Sequence, residues 1–180
     1  NATHLIITFG SAEVYEYNNQ VVSNCHKLPS RQFTHRLLSI NEIINLYKTQ
    51  DTKLQIKSSP KLGEVPKAEG YANSQLSTIF TISPVRYLGE GAHHGQINKA
   101  TLLLATNEIC KEIKADYFPS YEIMMDELRD YRFYAEDMCH PTLQAVNYIR
   151  ERFLAWALPS DESQILEENI KAFKRASHRS

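Results

Sequence analysis

The stretch AEDMCHP puts Asp137 three residues before His140, with Pro141 directly after the histidine. This pairing suits a general base and the group that orients it. A residue before proline is biased to extended backbone, so His140 is expected outside the helix that follows, its ring free to face a cleft. Three residues of loop let the Asp137 carboxylate fold back onto one imidazole nitrogen. That bond fixes the tautomer and leaves the other nitrogen to take a proton from a nucleophile. As a bare pattern D-x-x-H is weak, because an aspartate capping a helix start beside an incidental histidine accounts for most instances.

A nucleophile is harder to find. Ser11 follows a strand-like run and Gly10, superficially like a serine at a tight turn, but no G-x-S-x-G flanks it. Cys25 and Cys139 each precede a histidine, and neighbours in extended chain point apart, so both read as inert thiols rather than activated pairs. His93 and His94, adjacent in a glycine-rich loop, lack the spacing that brings two ligands to one ion, so neither a metal nor another cofactor is expected. The run DELRDYRFYAED interleaves five acids with two arginines. Salt bridges that hold Asp137 in place explain it without a ligand.

These residues need elements to position them. Residues 4–10 form a short β-branched run closed by glycine, as a buried strand of a parallel sheet does. Residues 11–24 suggest a hairpin turned by Asn18 and Asn19. Helical spacing covers 41–47, with Asn41 as its cap. Residues 51–75, polar and broken by two prolines and two glycines, are expected to be a flexible connection. A second strand at 78–83 runs into a loop with Pro84, Gly89 and Gly91. A helix at 98–113 and a third strand at 115–119 follow, an alternation that implies a parallel sheet. Residues 121–128 make a short acidic helix, and 141–158 a longer one with Pro141 as its first residue. A charged amphipathic helix at 161–176 ends the pattern. In such a sheet ligands collect outside the carboxyl ends of the strands, after Gly10, Ser83 and 117–119.

Composition narrows the classes. The 180 residues suit a single domain, and 42% hydrophobic with 23% charged residues is ordinary globular composition. A net charge of -1 gives no field for nucleic acid or an anionic membrane surface. Three cysteines without a C-x-x-C fit a reducing compartment, so a cytoplasmic location is expected. No apolar run approaches the roughly 18 residues of a membrane span. The opening NA, without an initiator methionine, reads as a cut piece of a longer protein.

Several stretches together, TFGSAEVY, NCHKLP, TISPVRYLGEGAHHGQINKATLLLA and YFPSYEIMMDELRDYRFYAEDMCHP, resemble the bacterial GSCFA family, which is placed with the SGNH-type hydrolases. The resemblance runs over residues 6–153 and is most specific at 117–141. It implies a three-layer α/β/α sandwich with a mainly parallel, flavodoxin-like sheet. It also implies hydrolysis of a small ester or acyl substrate by a serine triad, with His140 as base and Asp137 as acid partner. The family's serine motif does not occur here, so the chain is expected to be the C-terminal portion of the domain, downstream of its nucleophile.

The G-x-N asparagine that helps hold the oxyanion in such enzymes is also missing, since Gly10, Ser11 and Ala12 stand in its place. Backbone N–H groups after Gly10 can still serve, because an oxyanion hole needs donors rather than a particular side chain. Asn24 is a possible substitute, and Arg86 and His93 are candidates for contacting substrate. The rival reading is a hydrolase-like fold used as a non-catalytic binding or interaction module, in which the Asp137–His140 pair is structural. A sheet lacking its first strand leaves an edge that would favour a homo-oligomer.

Overall fold

Six consecutive β-branched, aromatic or small residues, STIFTI, form the most deeply buried strand, β5 (Ser77–Ile82), which is buried along its whole length as the central strand of a parallel sheet must be. A computed structural model of the protein describes residues 4–22, 28–54, 77–89 and 91–177. β5 lies between β1 (His4–Phe9) and β6 (Asp116–Phe118), parallel to both, with Phe9 opposite Ile82 and Thr81 opposite Phe118. Its successive side chains enter different clusters. Phe80 and Ile82 pack with Ile43, Leu102 and Ile109, whereas Ile79 packs with Phe118, Ile149 and Phe153. The protein is thus α/β, with a small parallel sheet at its centre.

A second, antiparallel sheet of β2 (Glu13–Tyr17), β3 (Gln20–Val22) and β4 (Thr34–Leu37) follows β1 in the order β3-β2-β4. Asn18 and Asn19 turn its hairpin as expected. Both have positive φ, 50° and 61°, the conformation that a two-residue type I′ turn requires. β4 was not foreseen, and the described strands divide evenly between the two sheets rather than joining one mainly parallel sheet.

Helix boundaries depart from the expected ones for local reasons. α1 (Ile40–Leu54) is capped by Ser39, not Asn41. The Ser39 hydroxyl accepts from Glu42 N–H at 3.2 Å, and the Glu42 carboxylate accepts from Ser39 N–H at 2.8 Å, a reciprocal capping box. The first four residues assigned to the 51–75 connection, 51–54, are therefore the last turn of α1, and 55–75 lie outside the described residues.

α2 (Gly91–Ile113) begins seven residues before the expected start, so GAHHGQ is helix, not loop. The glycines there signal geometry rather than a break. Gly91 has φ 85°, and a Cβ on Gly95 would meet the Tyr87 carbonyl oxygen at 2.5 Å, a close approach that only glycine permits. After β6 comes a helical turn, α3 (Ser120–Glu122), that widens into a π-turn at Ile123–Glu127.

α4 (Leu143–Ala157) starts after Thr142, whose hydroxyl accepts from Ala145 N–H at 3.3 Å. Pro141 lies outside it, bridged antiparallel to Tyr134. α5 (Ser160–Ser177) closes the described chain. Among the described residues no helix is long and apolar enough to cross a membrane.

Candidate functional site

The Asp137–His140 turn is a closed structure. Tyr134 and Pro141 bridge its ends, Ala135 N–H donates to the His140 carbonyl at 2.8 Å, and Met138 N–H donates to the Ala135 carbonyl at 2.9 Å. Met138 occupies the left-handed region at φ 57°, a cost of roughly 1 kcal/mol for a non-glycine residue that the surrounding bonds must offset. Within this turn one Asp137 oxygen accepts the N–H groups of Cys139 and His140, both at 2.9 Å. The other meets His140 Nδ1 at 2.6 Å.

The backbone N–H and ring N–H of His140, with the N–H of Cys139, hold the Asp137 carboxyl down at about 2. An ionised carboxylate only accepts, so Nδ1 carries a proton, and in the neutral imidazole Nε2 then keeps its lone pair. The His140 side chain is 61% exposed, and its Nε2 makes no hydrogen bond among the described residues. A base oriented in this way can take a proton from a hydroxyl presented from outside the turn.

Arg86, in the loop after β5, fastens the turn to the parallel sheet. Its backbone N–H donates to the Cys139 carbonyl at 3.1 Å and its guanidinium to the Met138 carbonyl at 3.1 Å. The guanidinium also lies over the Tyr134 ring, 5.4 Å from its centre. In return the Cys139 thiol donates to the Arg86 carbonyl at 2.8 Å. Cys139 and Arg86 thus serve the position of His140.

The other predicted positions are dispersed along the rim. Gly10 and Ser11 are exposed just past the end of β1. The Ser11 hydroxyl oxygen accepts from Asn98 Nδ2 at 2.8 Å and from Glu13 N–H at 2.9 Å, and no base contacts it among the described residues. His93 is exposed in the first turn of α2. Asn24 lies outside the described residues. Among the described residues no group of three His, Cys, Asp or Glu side chains is placed to hold a metal ion.

Three residues that the spacing did not reveal complete the rim, all from one face of α2. His94 Nε2 bonds the nearly buried Glu13 carboxylate. One turn on, Asn98 is fully buried, and its Oδ1 accepts from Ala12 N–H at 2.9 Å. Beside it Lys99, only 3% exposed, donates to the carbonyls of Gly10 and Ser83, each at 2.8 Å. Its ammonium lies 5.6 Å from the centre of the Tyr121 ring. Burial pushes its pKa down to about 8. A sequence signal did exist. Lys99 is in helical register with the buried Leu102, Thr106 and Ile109, where a charge is out of place.

At the start of α3, just past β6, the Ser120 hydroxyl donates to the Ile82 carbonyl at 2.6 Å, and the Thr81 hydroxyl reaches Ser120 at 2.6 Å. The carboxyl ends of β1, β5 and β6 are therefore each tied by a buried polar side chain. A groove of about 660 Å³ between α1 and α2, lined by Ile40, Ile44, Lys48 and Glu108 among others, contains none of these rim residues.

The GSCFA family model matches the chain over residues 1–153. No curated protein and no solved structure matches it.

Proposed function

Because the chain belongs to the GSCFA family, we propose that Asp137 and His140 are the acid-base half of an SGNH-like serine hydrolase that cleaves a small ester or acyl substrate. The observation that carries this reading is the 2.6 Å contact of His140 Nδ1 with an ionised carboxylate, beside an exposed Nε2. Helices on both faces of β5 support the three-layer sandwich that goes with it. The nucleophilic serine comes from sequence outside these 180 residues.

In the first step His140 Nε2 takes the serine proton as the serine oxygen attacks the acyl carbon, and the carbonyl electron pair moves onto its oxygen. Collapse of that oxyanion breaks the bond to the leaving alkoxide, which takes the proton from Nε2–H. Water then attacks the acyl-serine, again losing its proton to Nε2, and as the acyl–oxygen bond breaks Nε2–H returns that proton to the serine oxygen and the acid is released. Asp137 stays ionised throughout and stabilises the imidazolium.

The test uses the full-length protein and a fluorophosphonate probe, with the labelled peptide mapped by mass spectrometry. The expected result is one labelled serine, with labelling lost in His140→Ala and strongly slowed in Asp137→Asn. Absence of labelling in the folded wild-type protein rejects the hydrolase and leaves the non-catalytic binding module.

A further inference from the structure

Lys99 is a buried ammonium with no carboxylate partner among the described residues. A cation in that position is costly to desolvate, and an aliphatic side chain there would avoid the cost. What the cation does to the backbone gives it a role.

In the β1–β5 ladder Ser83 N–H donates to the Phe9 carbonyl at 2.9 Å, one rung past the last strand pair, Phe9 opposite Ile82. Continued by one more rung, a parallel ladder has Ser11 N–H donate to the Ser83 carbonyl. That bond is absent among the described residues, and the Ser83 carbonyl accepts from Lys99. Lys99 also takes the Gly10 carbonyl. The peptide from Gly10 to Ser11 is trans, so its C=O and N–H point in opposite directions, and the Ser11 N–H is turned away from the ammonium.

The neighbouring amides are spoken for. Ala12 N–H donates to Asn98 and Glu13 N–H to the Ser11 hydroxyl. Among the described residues the exposed Ser11 N–H alone of these three has no acceptor, at the carboxyl end of the sheet where ligands of parallel sheets bind.

We propose that Lys99 is a positioning residue: by taking the Gly10 and Ser83 carbonyls it ends the β1–β5 ladder and leaves the Ser11 N–H as the donor for a substrate oxyanion. It supplies by backbone what the absent G-x-N asparagine would supply by side chain. The oxyanion role rests on the hydrolase reading above, whereas the freeing of the amide does not.

The experiment measures hydrogen exchange at single amides in the full-length protein, wild type and Lys99→Met, together with hydrolysis of p-nitrophenyl acetate. In the wild-type protein Ser11 N–H is expected to exchange as an open amide while Ser83 N–H is protected. In Lys99→Met the released Ser83 carbonyl recruits Ser11 N–H, whose exchange slows at least about tenfold. The same variant is expected to lose kcat by about 100-fold, the scale of one oxyanion donor, with KM unchanged.

A protected Ser11 amide in the wild-type protein overturns the proposal, and that measurement needs no variant to fold. Equal Ser11 exchange in the two proteins, or an unchanged kcat in Lys99→Met beside an inactive His140→Ala, overturns it too and leaves the hydrolase standing. If the wild-type protein turns over no ester, the hydrolase reading fails, and the exchange rates alone decide what Lys99 does.

Discussion

Asp137 and Lys99 are both held below their ordinary pKa, and because their charges are opposite they pull stability in opposite directions. The Asp137 carboxyl drops from 3.8 to about 2, mainly through the N–H groups of His140. Its stabilising contribution is present above about pH 4 and is lost as pH falls through about 2. The Lys99 ammonium drops from 10.5 to about 8 by burial. Between those values the unfolded chain keeps a proton that the folded chain has shed, so stability rises with pH, on the order of 3 kcal/mol across the window. Urea unfolding of the wild type, Asp137→Asn and Lys99→Met across pH 2–11 checks both signs. The stability gap to Asp137→Asn is expected to shrink from pH 4 to pH 2, and the wild type to gain on Lys99→Met above pH 8. A parallel course of all three proteins contradicts these assignments. The contact between Asp137 and His140 was legible in the sequence because all its bonds are local, spanning two or three residues. Lys99 and Asn98 were not, since their partners at Gly10 and Ala12 lie 89 and 86 residues away.

At the level of elements, composition was informative where one conformation is demanded and misleading where a residue serves two purposes. Asn18-Asn19 marked a hairpin because both positions need positive φ. Gly91 and Gly95 marked a loop, yet Gly91 supplies a positive φ at the start of α2 and Gly95 admits the Tyr87 backbone against it. Pro141 suggested a helix start, although Thr142 caps α4 with its hydroxyl while Pro141 closes the Asp137–His140 turn against Tyr134. The contact at Gly95 yields a sharp expectation. A methyl group there meets a backbone oxygen, which cannot rotate away, so Gly95→Ala must push α2 from the loop that carries Arg86. The cost expected is about 1–3 kcal/mol by denaturant titration. His140 then loses its anchorage, and fluorophosphonate labelling should slow. Wild-type stability in this variant would mean that the helix start is not pinned to Tyr87.

Across the whole molecule, the family match ends at residue 153, and α5 beyond it rests on few side chains. Leu166 and Ile170 are half-buried, whereas Ile165 and Phe173 are 58% and 75% exposed. Deleting residues 160–180 is therefore expected to cost less than about 2 kcal/mol in urea unfolding and to leave the rim intact. A collapse of the fold on deletion would give α5 a structural role that its burial does not suggest. Sheet order and register were beyond reach of local pattern, because they are set by pairing between distant segments. The register His4 opposite Ser77 through Phe9 opposite Ile82 joins segments about 70 residues apart, whereas β2, β3 and β4 pair within one short stretch. The two sheets therefore fold on different clocks. The antiparallel hairpin can zip in microseconds, but the parallel pair must wait for a large loop to close, which makes it the slow event. Closure entropy grows only with the logarithm of loop length, roughly 0.6 kcal/mol per doubling, so residues inserted between β4 and β5 should barely change how fast the protein folds.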